Sequence, residues 1–307
     1  MAAAAQKQQE DSEPEHDSRA VCVVGFPRSG TSLIARLCNL LGVEFGAEED
    51  LLPQAYGDNP RGYWELRWVN DVNDDLLQRL GSAWWKPLYA EEGWERRPEL
   101  AELAERVRAE LDTTFAAAPL WGWKDPRTAL TLPFWNQLVP DAEFLLCVRN
   151  PADAIASLQR RPEPTLSVEE WGRLWLEYLG RALRETAGRP LHVIFYEDLF
   201  ERPEETIAEL AAFLRVEFQA THELQSTVER DLRHHTTTPA QLAGLPGIPA
   251  EARALFLMLR AGQVEEARQL GPQLWWANRL RTERPAPEHD GSTQGRLFRR
   301  LMRTTAR

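Results

Sequence analysis

Val21-Cys22-Val23-Val24-Gly25-Phe26-Pro27-Arg28-Ser29-Gly30-Thr31-Ser32 joins a short apolar run to a glycine-bounded loop, after which Leu33, Leu37, Leu40 and Leu41 recur at helical spacing up to Gly42. An apolar run closed by glycine suits a buried strand, and a glycine just past the last apolar position is a helix stop. Strand, glycine-containing loop and helix in that order open an α/β unit. The loop residues then lie where backbone N–H groups and the helix dipole make an anion site.

Outward from this unit, apolar spacing predicts helices over 66–80 (Val69, Val72, Leu76, Leu80, stopped by Gly81) and over 98–115 (Leu100, Leu103, Val107, Leu111, Phe115), with Pro98 in the first turn of the second. Leu120 to Trp123, Phe144 to Val148 and Leu191 to Tyr196 read as short strands, followed by Lys124, Arg149 and Glu197. Asn150-Pro151 supplies an N-cap and first helical residue. Ser167 with Glu170 forms a capping box before Val168, Trp171, Trp175, Tyr178 and Ala182, and Pro203, Ile207, Leu210 and Phe213 mark a further helix. Residues 236–250 read as a loop, with helical patterns resuming to about Trp276. This alternation predicts an α/β fold, a P-loop-like three-layer α/β/α arrangement around a central, mostly parallel sheet. Residues 1–19 are expected to be a disordered tail, 20–280 the folded domain, and 281–307 a flexible basic tail.

The chain of 307 residues is acidic, with a net charge of −11, of which residues 1–20 carry −3, residues 281–307 carry +4 and the middle −12. Sequence-independent nucleic-acid affinity comes from Lys and Arg neutralising phosphates, so no nucleic-acid partner is expected. Cys22, Cys38 and Cys147 are the only cysteines, widely spaced in apolar runs, which reads as free buried thiols of a reducing compartment with no zinc spacing. The N-terminus lacks a hydrophobic signal core and no stretch approaches the roughly 20 apolar residues of a membrane span. A cytoplasmic protein without a membrane span is expected; the oligomeric state stays open.

The loop pattern G-x-x-x-x-G-T-S resembles a Walker A loop with Thr31 in place of its lysine. That lysine reaches the terminal phosphates of a nucleotide, so its loss counts against phosphoryl transfer. A Walker B carboxylate is missing too, since the candidate strand ends in Arg149. The site therefore reads as cations and amides, with no metal. A second cation site follows in Arg149-Asn150-Pro151 with Ser157 about two helical turns on. Arg149 leaves the C-terminal edge of a strand, where open parallel sheets bind ligands, and Ser157 could add a hydroxyl donor.

Together, Pro27-Arg28-Ser29-Gly30-Thr31-Ser32, Arg149-Asn150-Pro151 with Ser157, and Tyr196-Glu197-Asp198-Leu199 resemble the sulfotransferases that use 3′-phosphoadenosine 5′-phosphosulfate (PAPS). Trp123-Lys124-Asp125-Pro126-Arg127 and Asn59-Pro60-Arg61-Gly62-Tyr63-Trp64-Glu65 resemble segments of soluble bacterial members. The resemblance implies PAPS as co-substrate. The 5′-phosphosulfate would lie on the amides of Ser29, Gly30, Thr31 and Ser32 beside Arg28, the 3′-phosphate on Arg149 and Ser157, and the adenine near Tyr196. The chain departs from the cytosolic small-molecule members in having Arg28 where they have lysine, and in lacking their C-terminal Arg-Lys-Gly segment.

Sulfuryl transfer to a hydroxyl needs a base for the acceptor proton and cations for the charge on the transferred group and leaving phosphate. Arg28 and Lys124 are the expected catalytic cations, Arg28 acting only electrostatically because it keeps its proton. Glu65, flanked by Tyr63, Trp64 and Trp68, is the expected base, with His222, His234 and His235 as rivals. Twelve tryptophans are many for this length, and Trp64, Trp68, Trp84, Trp85, Trp94, Trp121 and Trp123 crowd the first half, on the expected acceptor side. Such faces suit sugars and phenols alike, and core packing is their other reading. The expected acceptor is a small-molecule or glycan hydroxyl, with carbohydrate or glycolipid as candidates. Two alternatives stay open: a catalytically inactive nucleotide-binding protein of the same fold, and a P-loop kinase.

Overall fold

A computed structural model describes residues 18–53, 62–162, 164–218, 222–228 and 237–271. The expectations for the two tails beyond those bounds, for Asn59-Pro60-Arg61, for Trp276 and for His234 and His235 lie outside the described residues, as does the side chain of His222.

The first unit forms as the sequence predicts. Strand β1 (Arg19–Gly25) runs into helix α1 (Thr31–Leu40), with Gly30 at φ 88° as its N-cap. β1 begins one residue before the expected domain edge, because the Arg19 guanidinium pairs with the buried carboxylate of Glu143 at 3.0 Å. Next come α2 (Arg67–Arg79) and α3 (Ala101–Phe115), the latter entered through a 3-10 turn at Pro98–Leu100. Strand β2 (Leu120–Lys124), helix α4 (Thr128–Leu138), strand β3 (Glu143–Val148) and helix α5 (Pro151–Leu158) follow. Helix α6 (Val168–Glu185) starts on the predicted capping box, and strand β4 (Leu191–Phe195) leads to α7 (Asp198–Glu201) and α8 (Pro203–Leu214). The remaining helices are α9 (His222–Thr227), α10 (Pro239–Gly244), α11 (Ala250–Arg260) and α12 (Val264–Gly271).

The four described strands make one sheet in the order β2-β1-β3-β4, and every pair is parallel. Strand alternation splits the core into two layers. Val21, Val23, Leu145 and Cys147 face α1, α8 and α9 on one side. Cys22, Val24, Phe144, Leu146 and Val148 face α2 to α6 and α11 on the other. All three cysteines are free and buried, and burial holds each thiol pKa above its ordinary value.

Short α7 and α9 escape the sequence patterns, as do α4 and α10. α4 is buried on nearly every face and contains Pro133, so it shows neither amphipathic spacing nor an uninterrupted helical run. α10 lies within the segment expected to be a loop, where Thr238 and Gln241 form a capping box around Pro239. The tryptophans also need correction as an acceptor platform. Trp94, Trp121 and Trp123 are core residues, with Phe115, Trp121, Trp123 and Trp135 packed ring against ring at 4.4–5.8 Å between centroids. The cause is strand alternation, which sends Trp121 and Trp123 to the same covered face of β2.

The chain leaves β1 toward β2 on one side and returns past it to β3 on the other. A crevice at the C-terminal ends of β1 and β3 follows from that reversal, the place where open α/β sheets hold ligands.

Candidate active site

Each strand delivers one part of the site at its C-terminal end. From β1 comes the loop Gly25–Ser32. Its turn closes by a Ser29 N–H bond to the Phe26 carbonyl at 3.1 Å, so the Ser29 amide is spent inside the loop. Gly30 has room for no side chain, since a Cβ there would lie 2.3 Å from Cδ2 of Tyr196. Arg28 takes a left-handed φ of 68°, a conformation costing roughly 1–3 kcal/mol in a non-glycine residue and concentrated at functional sites. Among the described residues, Trp64 at φ 57° is another, and it immediately precedes Glu65.

From β3 comes Arg149, whose Nη1 donates to the Arg28 carbonyl at 3.0 Å. Its guanidinium stands 4.3 Å from the centroid of the Tyr196 ring. Arg28 Nε donates to Ser157 Oγ at 3.0 Å, so loop, strand end and α5 converge, with Ser157 bonded to Arg28 and not to Arg149. Tyr196 is buried between Gly30, Arg149 and Phe200, which makes its ring a support under the loop and leaves little of it for an adenine. Behind Arg149, Glu197 accepts the Asn150 N–H at 2.8 Å, and burial raises its carboxyl above the ordinary range.

Two buried donors here have no partner, the Ser29 hydroxyl and Arg149 Nε. Leaving such groups unsatisfied costs about 1–3 kcal/mol each, more for a charged group. A ligand carrying two anionic groups, one at the loop and one at Arg149, would satisfy both. These residues therefore fit a phosphate-bearing ligand by their own chemistry, at the N-terminal end of the α1 dipole.

From β2 comes Lys124, a buried residue and not the surface lysine that its type would suggest. Its ammonium donates to Glu65 Oε1 at 2.6 Å, to the Tyr63 carbonyl at 3.0 Å and to Ser32 Oγ at 3.1 Å. Ser32 thus joins the phosphate loop to this second cluster. Glu65 sits just before α2, held by its backbone carbonyl accepting from Leu52 N–H at 2.8 Å. Its Oε2 accepts from Asn70 at 2.9 Å and faces Arg127 Nη2 at 3.5 Å. The surroundings of Glu65 are cationic where the sequence suggested aromatic ones.

Arg127 carries no role in the sequence reading, although it stands in the quoted Lys124-Asp125-Pro126-Arg127 run. Burial works against its charge, but Asp125, Asp74 and Glu65 outweigh that and keep the guanidinium firmly protonated. Among the described residues, no group of three or more His, Cys, Asp or Glu side chains is placed to hold a metal ion, and no helix is long and apolar enough to cross a membrane.

A phosphate-type loop at the switch point of a parallel sheet, with a buried lysine–carboxylate pair beside it, defines a group-transfer site of P-loop-like architecture. The sequence profile of the sulfotransferase family matches residues 20–220, and the chain belongs to that family. A Caenorhabditis briggsae protein named protein-tyrosine sulfotransferase is 26% identical over 232 residues, spanning 72% of this chain and 71% of the relative. A Caenorhabditis elegans protein of the same name is 29% identical over 185 residues, spanning 57% of this chain and 62% of the relative. Among solved structures, the sulfotransferase domain of the Synechococcus PCC 7002 olefin synthase aligns with a TM-score of 0.43 at 20% identity, covering 81% of this chain and 97% of that one.

Proposed function

We propose that this chain moves the sulfuryl group of PAPS to an acceptor hydroxyl. The observation that carries the reading is the convergence of the Gly25–Ser32 loop and Arg149 on two buried, unpartnered donors, one strand away from the Lys124–Glu65 pair. Gly30, Thr31 and Ser32 amides with the Ser29 hydroxyl would hold the 5′ end, Arg149 and Ser157 the 3′-phosphate, and Tyr196 would serve by supporting Gly30 and Arg149. PAPS supplies an activated sulfuryl group, whose S–O bond to the 5′-phosphate breaks as the acceptor oxygen bonds to sulfur.

The chain's own residues do the rest. Glu65 takes the acceptor's proton. Once neutral, it no longer offsets the charge of Lys124, which remains tied to Ser32 and the Tyr63 carbonyl beside the phosphate loop. That charge is then available to the oxygen on which the electron pair departs, together with Arg28. Proton uptake and leaving-group stabilisation are in this way coupled through one ion pair. The names of the relatives make a phenolic hydroxyl the first acceptor to try, ahead of carbohydrate and glycolipid hydroxyls.

The test is thermal unfolding with 3′-phosphoadenosine 5′-phosphate beside Mg-ATP. A ligand at 100 times its Kd adds about 2.7 kcal/mol, which for a domain of this size is a rise of roughly 5–10 °C. A shift with the 3′-phosphorylated nucleotide alone is expected; a shift with Mg-ATP alone would sink the donor assignment in favour of a kinase.

A further inference from the structure

We infer that Arg127 is a positioning residue of this site, holding Glu65 in register with Lys124; the inference rests on the reading of Glu65 as the base. Arg127 sits three residues past the end of β2, immediately before α4. Its backbone N–H and its Nε both donate to Asp125 Oδ1 at 2.9 Å, and Nη1 donates to Asp74 Oδ1 at 2.7 Å. The remaining arm, Nη2, meets Glu65 Oε2 at 3.5 Å.

Asp125 is itself immobile. It is fully buried, and its second oxygen accepts from Asn73 at 3.0 Å. Asn73 is in turn locked by accepting from the Thr131 hydroxyl at 2.6 Å and the Trp135 indole at 2.9 Å, and by donating to Thr128 Oγ at 3.0 Å. A rigid chain therefore runs from the α2–α4 contact through Asp125 and Arg127 to Glu65. The planar guanidinium suits this task, because its donors point in fixed directions that a lysine cannot reproduce.

Arg127 also solves an electrostatic difficulty. When Glu65 is neutralised by a proton, a cation paired to it alone would be left buried and uncompensated, at large cost. Asp125 and Asp74 keep Arg127 compensated throughout, so Glu65 can change charge without displacing the residue that orients it. Lys124 has no such second carboxylate among its three partners. The two cations on Glu65 are thus of different kinds, one fixed and one releasable.

The test compares Arg127→Gln and Arg127→Lys in the natural background and with Glu65→Gln. Two readouts are used. One is the side-chain ammonium NMR signal of Lys124 in the ligand-free protein; the other is release of 3′-phosphoadenosine 5′-phosphate from PAPS across a panel of simple phenols and sugars, with and without acceptor. Arg127→Gln is expected to weaken or shift the Lys124 signal while affinity for 3′-phosphoadenosine 5′-phosphate is kept, and to lower turnover about 10–100-fold through misplacement of the carboxylate. Arg127→Lys is expected to restore part of both. With Glu65→Gln already present, replacing Arg127 should change turnover less than about 3-fold, since contacting residues do not act additively. An unchanged Lys124 signal in folded Arg127→Gln overturns the inference, as does an equal loss of turnover in both backgrounds. Near-normal turnover of Glu65→Gln alone would instead remove Glu65 as base, and the Lys124 signal would still decide whether Arg127 positions it.

Discussion

At the ends of β1 and β3, buried polar atoms stand without partners; at the end of β2, each buried charge is matched by another. Ser29 Oγ and Arg149 Nε belong to the first region, and Lys124, Glu65, Arg127 and Asp125 to the second. An unsatisfied buried donor is costly, and acceptors on an anionic ligand would offset that cost at Ser29 and Arg149. A closed network of ion pairs needs no ligand to be stable, and its charges become available only when one partner is neutralised. In the proposed function the first region is the binding site and the second a device that responds to a proton. Ser32, on the loop and bonded to Lys124, is the joint between them.

If that division holds, substitutions on the two sides separate binding from turnover. Glu65→Gln is expected to have the largest effect, lowering turnover about 10²–10⁴-fold, the range of general-base catalysis. Calorimetry with 3′-phosphoadenosine 5′-phosphate should find its donor affinity unchanged. A loss of affinity there would merge the two regions into one.

Arg149→Ala strikes the other side. Removing a charge-assisted partner worth about 1.5–3 kcal/mol should weaken the same ligand roughly 10–150-fold, with the circular dichroism spectrum retained. Equal affinity in this variant would strip Arg149 of its place in the binding region. Gly30→Ala tests the loop itself. Its Cβ would meet Tyr196 at 2.3 Å in a left-handed conformation, so a loss of about 1–3 kcal/mol in unfolding free energy is expected together with weakened donor binding. Normal stability would mean that Tyr196 yields and does not shape the loop.

The smallest effect concerns Glu197, whose carboxyl is raised by burial beneath Arg149. Just above the ordinary glutamate range the folded protein keeps a proton that the unfolded chain has released. Stability therefore falls as pH rises through the window between the unfolded and the folded values. Glu197→Gln can still accept the Asn150 N–H and has no charge to desolvate, so its melting temperature should fall less as pH rises above the ordinary glutamate range. Parallel melting curves for the two proteins would show that Glu197 is ionised in the folded state at no cost.

Much of this was legible without coordinates. The β1 loop, Arg149 and Lys124 are each a polar interruption directly after an apolar run, and in a parallel sheet such residues share one edge. Glu65 was nameable as a carboxylate, but its setting was not: proximity in sequence suggested Tyr63, Trp64 and Trp68, whereas Lys124 and Arg127 surround it from β2 and the start of α4. Local sequence does not single out Arg127, because an arginine after a strand is ordinarily a solvated ion pair and nothing local says that Asp125 nearby is fully buried. α4 was invisible for a related reason. A helix covered on all sides loses the polar face that periodicity detects.

The sequence by itself determined the β-loop-α unit, the alternation that makes a parallel α/β sheet, and the free buried thiols, because each follows from local pattern and short-range geometry. Only the tertiary structure decided which polar atoms are left unpartnered, which tryptophans are core, and which cation holds Glu65. Those outcomes depend on contacts between residues tens of positions apart, such as Lys124 with Glu65 and Arg149 with Arg28. No local propensity encodes them; burial and the pairing of charge across the sheet's edge do.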